Sequence, residues 1–274
     1  MRLHRWLRVL WRSLPTRLRM RLRVLWRSLP IRLRMRLRVL WRSLSPPVGR
    51  LDFGSLRRVT PVSYEWGRDR GQPIDRYYIE NFLAQQARDI RGRVLEVGDN
   101  SYSVLEDNSY SVQYGGDRVE ISDFLHVEEG NPQATIVADL TRADHIPSDT
   151  FDCIILTQTL HLIYDVRSAI RTLHRILKPG GVLLATFPGI TQIDQSDEWN
   201  WYWAFTRSSA WRLFEEAFPA ANLRIEAHGN VLAAVSFLHG VVVEELYREE
   251  LDYRDPNYEV LITVRAVKPA EPTP

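Results

Sequence analysis

Three side-chain carboxylates, a histidine and a run of aromatic rings carry the chemistry this chain offers. Glu96 and Gly98 stand in VLEVGDN, at the end of a short apolar run. A carboxylate there is a hydrogen-bond acceptor, and the glycine beside it lets a ligand approach the backbone with no side chain in the way. Asp123 follows the next apolar run, and a carboxylate about 20 residues beyond the first loop accepts both ribose hydroxyls of a nucleoside. Glu96 and Asp123 are 27 positions apart, but DNSYSV at 99–104 recurs at 107–112, and discounting those eight duplicated residues leaves 19. Asp139 and Leu140 close a third run in VADLT, and Thr157 closes a fourth in FDCIILTQ. His161 lies just past it, and a neutral imidazole near pH 7 suits proton acceptance from a hydroxyl; the plainer reading is a packing or capping histidine. The stretch 197–219 carries Trp199, Trp201, Tyr202, Trp203, Phe205 and Trp211, which either cover a ligand by stacking or pack the edge of a sheet. Tyr77 and Tyr78 precede the first run, within reach of the same ligand or of the core. His126, His145, His228 and His239 have no spacing that suggests a metal site.

These residues need strand tips that converge. RVLEVG (93–98), RVEIS (118–122), ATIVAD (134–139), FDCIILTQ (151–158) and GVLLATF (181–187) are short, branched and apolar, as in buried parallel sheets. PIDRYYIENFLAQQARDI (73–90) opens with proline in a first helical turn and places Ile74, Tyr77, Tyr78, Phe82 and Leu83 on one side. VRSAIRTLHRIL (166–177) is a second helix, ending in KPGG. A strand near 223–227, a helix near 231–248 and a closing strand at 258–267 follow the aromatic stretch. The order predicts an α/β fold: a doubly wound, mostly parallel seven-stranded Rossmann-like sheet with helices on both faces. Ligands of such sheets bind at the carboxyl ends of the strands, where strand order reverses.

The net charge of +2 conceals a division, since residues 1–50 hold 15 arginines and no acid, leaving 21 basic against 34 acidic residues in 51–274. An acidic body argues against a nucleic-acid face, which needs clustered cations. The basic leader repeats with period 15, as LRVLWRSLPTRLRMR at 7–21, LRVLWRSLPIRLRMR at 22–36, and in part at 37–44. Leu18, Leu22, Leu25, Trp26 and Leu29 share one helical face, so residues 1–44 either touch an anionic membrane surface or form a helical or disordered leader of no selected role. The lone Cys153 and the absence of a long apolar run fit a cytoplasmic protein. The divisions expected are a leader at 1–50, a domain at 51–267 and a tail at 268–274.

VLEVGDN resembles motif I of the class I S-adenosylmethionine-dependent methyltransferases, matching its acidic residue and first glycine but not its later glycines. DTFDCIILTQTLHLIYD is similar to the fourth-strand motif of that family, and HRILKPGGVLLATFPG to the signature before and along its fifth strand. The segment as a whole resembles a bacterial type 11-like methyltransferase group associated with polysaccharide and glycoconjugate gene sets. The resemblance implies S-adenosyl-L-methionine as cofactor, held by Glu96, Gly98, Asp123, Asp139, Leu140, Thr157 and Tyr77, with Asp139 on the adenine amino group. It also implies a small-molecule or glycan acceptor, met by Trp201, Tyr202 and Trp203, with His161 as base. A sulfonium favours acidic and aromatic surroundings over a basic phosphate cradle, and the loop after Glu96 has no lysine or arginine. Two rivals stand beside O-methylation: a methyltransferase-fold binding module without activity, and a membrane-surface protein acting through its leader.

Overall fold

The computed structural model describes residues 54–98, 109–193 and 200–270. The leader, most of the duplicated segment, Trp199 and the expected boundary near residue 51 lie outside them. The chain divides into two units, Met1–Arg57 and Arg58–Pro274. Of the first, one 3-10 turn, Gly54–Leu56, is described.

The second unit holds seven strands in one sheet. In chain order its elements are α1 (Ile74–Gln85), β1 (Gly92–Val97), β2 (Val119–His126), β3 (Ile136–Val137), β4 (Phe151–Thr157), α2 (Val166–Ile176), β5 (Leu177–Pro188), α3 (Arg207–Phe214), β6 (Leu223–His228), α4 (Val231–His239), α5 (Arg248–Asp252) and β7 (Leu261–Val267). The strand order is β3-β2-β1-β4-β5-β7-β6. β1 through β5 are parallel, and β7 runs antiparallel to both β5 and β6. Order reverses between β1 and β4, the place where such a sheet opens a crevice.

Period-two alternation divides the core. Leu95, Val97, Ile154, Leu156, Leu183 and Ala185 face α2 and α3, while Val94, Cys153, Ile155, Val182 and Leu184 face α1, α4 and α5. The sheet is thus sandwiched between two helical layers, and each wholly buried Leu or Ile contributes about 1.5–3 kcal/mol by leaving water.

Helix ends follow their local chemistry. Asp165 caps α2 by accepting from Ser168 N, and Thr206 and Ser209 bond reciprocally at the start of α3. Gly240 ends α4 at φ +68°, earlier than the helix expected to residue 248; the chain then turns and re-forms the short α5. The KPGG turn joins the sheet: Gly180 N donates to Lys268 O and Lys268 N to Gly181 O, while Lys178 Nζ pairs with Asp152 at 2.7 Å. Burial works against ionisation of Asp152, yet Lys178 and the Arg93 amide hold its carboxyl below the ordinary range.

β2 departs from the reading most consequentially. Expected to end at Ser122, it continues in register with β1, Leu95 opposite Asp123 and Val97 opposite Leu125, so its tip is His126.

Candidate active site

One cavity of about 830 Å³ opens at the carboxyl ends of β1, β2 and β4, over the point of strand reversal. Glu96 and Gly98 line it from β1, His126 from β2, Asp139 and Leu140 from the turn after β3, and Thr157 from the end of β4. Gly98 has φ +142°, and a Cβ there would come within 3.3 Å of Thr159 Oγ1, so a side chain would both strain the backbone and narrow the crevice. Thr159 donates from Oγ1 toward the carbonyls of Val97 and Thr157, tying the tips of β1 and β4 together.

Glu96 is buried and serves the chain that follows the duplication. It accepts from the Ser109 hydroxyl, from Tyr110 N at 3.1 Å and from Ser111 N at 2.7 Å. Tyr110, placed in this way, lines the cavity and accepts a hydrogen bond from the Arg76 guanidinium. Asp139 takes the Thr141 amide and hydroxyl on one oxygen, both at 2.8 Å. Partial burial opposes its ionisation, but the Thr141 bonds and Arg142 prevail and hold the carboxyl below its usual range.

Asp123 is a correction. It does not line the cavity; it sits mid-strand and pairs with Arg93 of β1 at 2.7 Å, while Thr135 Oγ1 donates to its other oxygen at 3.1 Å. Two strands that stay in register for two more residues carry the cleft past it, and the side chain is spent on a cross-strand ion pair. His126 occupies the tip instead, its Nδ1 3.0 Å from the Glu128 carbonyl.

Tyr77 is the second correction: its hydroxyl donates to Asp252 of α5 at 2.6 Å, outside the cavity. Its helix reaches the cavity through Asp75, Arg76 and Glu80 instead.

The aromatic stretch is shared out. Trp201 and Tyr202 line the cavity; Trp203 does not, because its Nε1 donates to Ile163 O and its ring stacks on Tyr164. Phe205 is buried against Phe187 and Trp211 packs on the core beside it. Two of these rings thus face the cavity, while Phe205 and Trp211 pack the core.

His161, on the 3-10 turn Leu160–Leu162, lines the cavity but is buried, with its ring 4.1 Å from that of Trp201. Its Nδ1 has no hydrogen-bond partner among the described residues. Burial pushes its pKa down to about 3, so the ring is neutral and a weak base.

Sequence reasoning missed the opposite wall, formed by Trp66, Gln72, Asp75, Glu80, Gln158 and Thr191. Asp75 reads in sequence as an ordinary acid in a first helical turn, and only the polar break after β4 hinted at Gln158. Trp66 and Gln158 have φ of +54° and +48°, two of three such non-glycine residues among those described. Backbone held in this region concentrates at functional sites.

The crevice lies at the reversal of a β3-β2-β1-β4-β5-β7-β6 Rossmann-like sheet, with an acid and a glycine at the first tip and, among the described residues, no lysine or arginine on the tips themselves. Residues 104–185 match the sequence profile of a family described as a methyltransferase domain. This part of the chain is thus similar to a methyltransferase domain, carried on a Rossmann-like sheet. No curated protein matches the sequence.

Among solved structures, an S-adenosylmethionine-dependent methyltransferase from Mesorhizobium loti is 18% identical with a TM-score of 0.44, over 68% of this chain and 95% of its own. A SAM-dependent methyltransferase from Archaeoglobus fulgidus is 12% identical with a TM-score of 0.45, over 69% and 94%. Phosphoethanolamine N-methyltransferase 2 from Haemonchus contortus, in complex with S-adenosyl-L-methionine, is 14% identical with a TM-score of 0.44, over 69% and 52%. These likenesses are modest. Among the described residues no group of three or more His, Cys, Asp or Glu gathers to hold a metal, and no helix is long and apolar enough to cross a membrane.

Proposed function

We propose that this domain methylates a hydroxyl of a polyhydroxylated small molecule, a sugar or glycoconjugate. The observation that carries the reading is the make-up of the cavity away from the strand tips. Trp66, Trp201 and Tyr202 bring ring faces, and Gln72, Asp75 and Gln158 bring amide and carboxyl groups, to one chamber. Rings stack on the apolar face of a sugar while planar polar groups meet its hydroxyls.

The residues present fit the cofactor in most respects. Asp139 and Leu140 suit the adenine, and His126 stands where the ribose needs a polar partner. Arg76 suits the methionine carboxylate, a guanidinium being matched to a planar anion. Tyr110 and the carboxylates suit the sulfonium. When bound, S-adenosylmethionine supplies an electrophilic methyl group. The chain's own task is to hold an acceptor oxygen in line at near-attack distance, which supplies much of the rate enhancement.

Incubation of the full chain with methyl-labelled S-adenosylmethionine and a panel of methyl glycosides and nucleoside-diphosphate sugars tests this reading; label appearing in ether linkages on the sugar is the expected result, and transfer to amines alone removes it.

One observation favours a binding module without activity: β2 brings no carboxylate to the cleft, since Asp123 is spent on Arg93. Calorimetry decides, because absence of binding heat with S-adenosylmethionine up to about millimolar concentration identifies the inactive module. A cytoplasmic location, resting on the lone Cys153, and peripheral membrane contact through residues 1–44, resting on the basic, Trp- and Leu-rich leader sequence, remain separate proposals.

A further inference from the structure

The cavity collects five carboxylates, from Asp75, Glu80, Glu96, Asp139 and Asp165, and four of them accept from donors on the chain nearby. Glu96 takes three donors from residues 109–111. Asp139 takes the amide and hydroxyl of Thr141. Asp165 takes the Ser168 amide at 3.1 Å and its hydroxyl at 2.6 Å as the cap of α2. Glu80 takes Gln72 Nε2 at 2.8 Å.

Asp75 differs in being met by a side chain from the far end of another strand. One oxygen accepts from the adjoining Arg76 amide at 2.9 Å, and Oδ2 accepts from Gln158 Nε2, just past β4, at 3.4 Å. Gln158 is itself held at positive φ, its amide donating to Thr186 O at 2.9 Å, so the backbone conformation that aims it is locked into β5. Resting on the hydroxyl-transfer reading above, we infer that Asp75, oriented by Gln158, is the general base that removes the acceptor's proton.

In that step the acceptor oxygen bonds to the methyl carbon and its proton passes to Asp75 Oδ2. The electron pair of the broken carbon–sulfur bond stays on sulfur, giving S-adenosylhomocysteine. Geometry favours Asp75 over His161, whose ring is packed under Trp201. The charged and titratable groups around Asp75 are Arg76 and Glu80 on its own helix, Arg68 on the segment before it and Tyr110 on the segment after β1. Burial raises the Asp75 carboxyl against the pull of Arg76 and Arg68. A base must be ionised to act, so turnover rises with pH through a limb above the ordinary carboxylate range.

The test compares the full-length wild type with Asp75→Asn and Asp75→Glu. Transfer from labelled S-adenosylmethionine to the glycoside panel is followed across pH, and S-adenosylhomocysteine binding is measured by calorimetry. The inference expects Asp75→Asn to lose about 100-fold or more in kcat, as removal of a general base does, and to lose the acidic limb. Asp75→Glu should recover part of both, with S-adenosylhomocysteine affinity within about threefold of wild type, a change of under 1 kcal/mol. An Asp75→Asn protein that turns over within tenfold of wild type along the same pH profile overturns the assignment alone. Loss of S-adenosylhomocysteine binding in parallel with kcat also overturns it, since Asp75 would then serve cofactor binding. A wild type that methylates no member of the panel overturns the hydroxyl reading and the assignment with it.

Discussion

Glu96 and His161 both lie at the cavity, and opposite physics governs them. Glu96 is a buried acceptor with three donors aimed at it, so Glu96→Ala strands those donors and should cost about 2–3 kcal/mol, the penalty for buried polar groups left unpaired. Because the same bonds seat Tyr110, S-adenosylhomocysteine affinity should fall at least about tenfold, or roughly 1.4 kcal/mol. A urea midpoint and an affinity both within error of wild type would contradict that role. His161 is buried with no partner on Nδ1 among the described residues, and burial lowers its pKa to about 3; for His228 it does so to about 4. An imidazole whose folded pKa lies below its unfolded value near 6.5 favours the fold fully above pH 6.5, and that contribution is lost as pH falls toward the folded pKa. Unfolding free energy should therefore drop between pH 6.5 and 4, and His161→Gln should remove about 1.4 kcal/mol per pH unit of that slope. Urea titrations at pH 7, 5.5 and 4.5 measure it; parallel slopes for the two proteins would show that His161 is not what titrates.

Among the elements, α4 and α5 depend on one side chain. Asn230 Oδ1 accepts from Leu232 N and Ala233 N at the start of α4, while its Nδ2 donates to Glu250 O at 2.6 Å and Tyr253 O at 2.8 Å. Asn230→Ala removes cap and tether together and should cost about 2–4 kcal/mol. Asn230→Asp keeps the cap acceptor but loses the donor, so its loss should be smaller, and thermal unfolding of the three proteins gives the order. β2 illustrates how an element decides a site. Ser122-Asp123 is a polar break in an apolar run and reads as a strand end, yet pairing to β1 continues to Leu125 and the strand itself to His126, opposite Val137 of β3. An ion pair with Arg93 makes an acidic residue tolerable mid-strand, and no local pattern distinguishes that from a turn. Tyr77 was misread for a related reason: helical periodicity assigns it a face, while α5, which that face meets, comes 175 residues later in contact through Asp252.

For the whole molecule, every buried hydrophobic residue among those described lies between Ile74 and Ala266. A chain starting at residue 54 should therefore unfold at a urea concentration close to that of the full protein. The leader's contribution is electrostatic and belongs to this scale, with 15 arginines in residues 1–50 against an acidic remainder. The full chain should sediment with anionic vesicles at low salt and release as salt rises, while the shortened chain stays in solution. Equal partitioning of the two removes the membrane proposal.

Sequence alone determined the order of strands and helices, because buried parallel strands need short branched apolar runs and helices need 3.6-residue periodicity; both are local properties. It also determined that Glu96, Gly98, Asp139, Leu140 and Thr157 share one cleft, since each lies at a strand tip and the tips of a parallel sheet end on one edge. Tertiary structure decided how each polar group is engaged. An ion pair with Arg93 takes up Asp123 and the Trp201 ring covers His161, while Asp75 and Gln158, 83 residues apart, meet across the cavity only once α1 packs over the sheet. Availability of a polar group is set by what folding brings against it, and that has no signature in neighbouring residues.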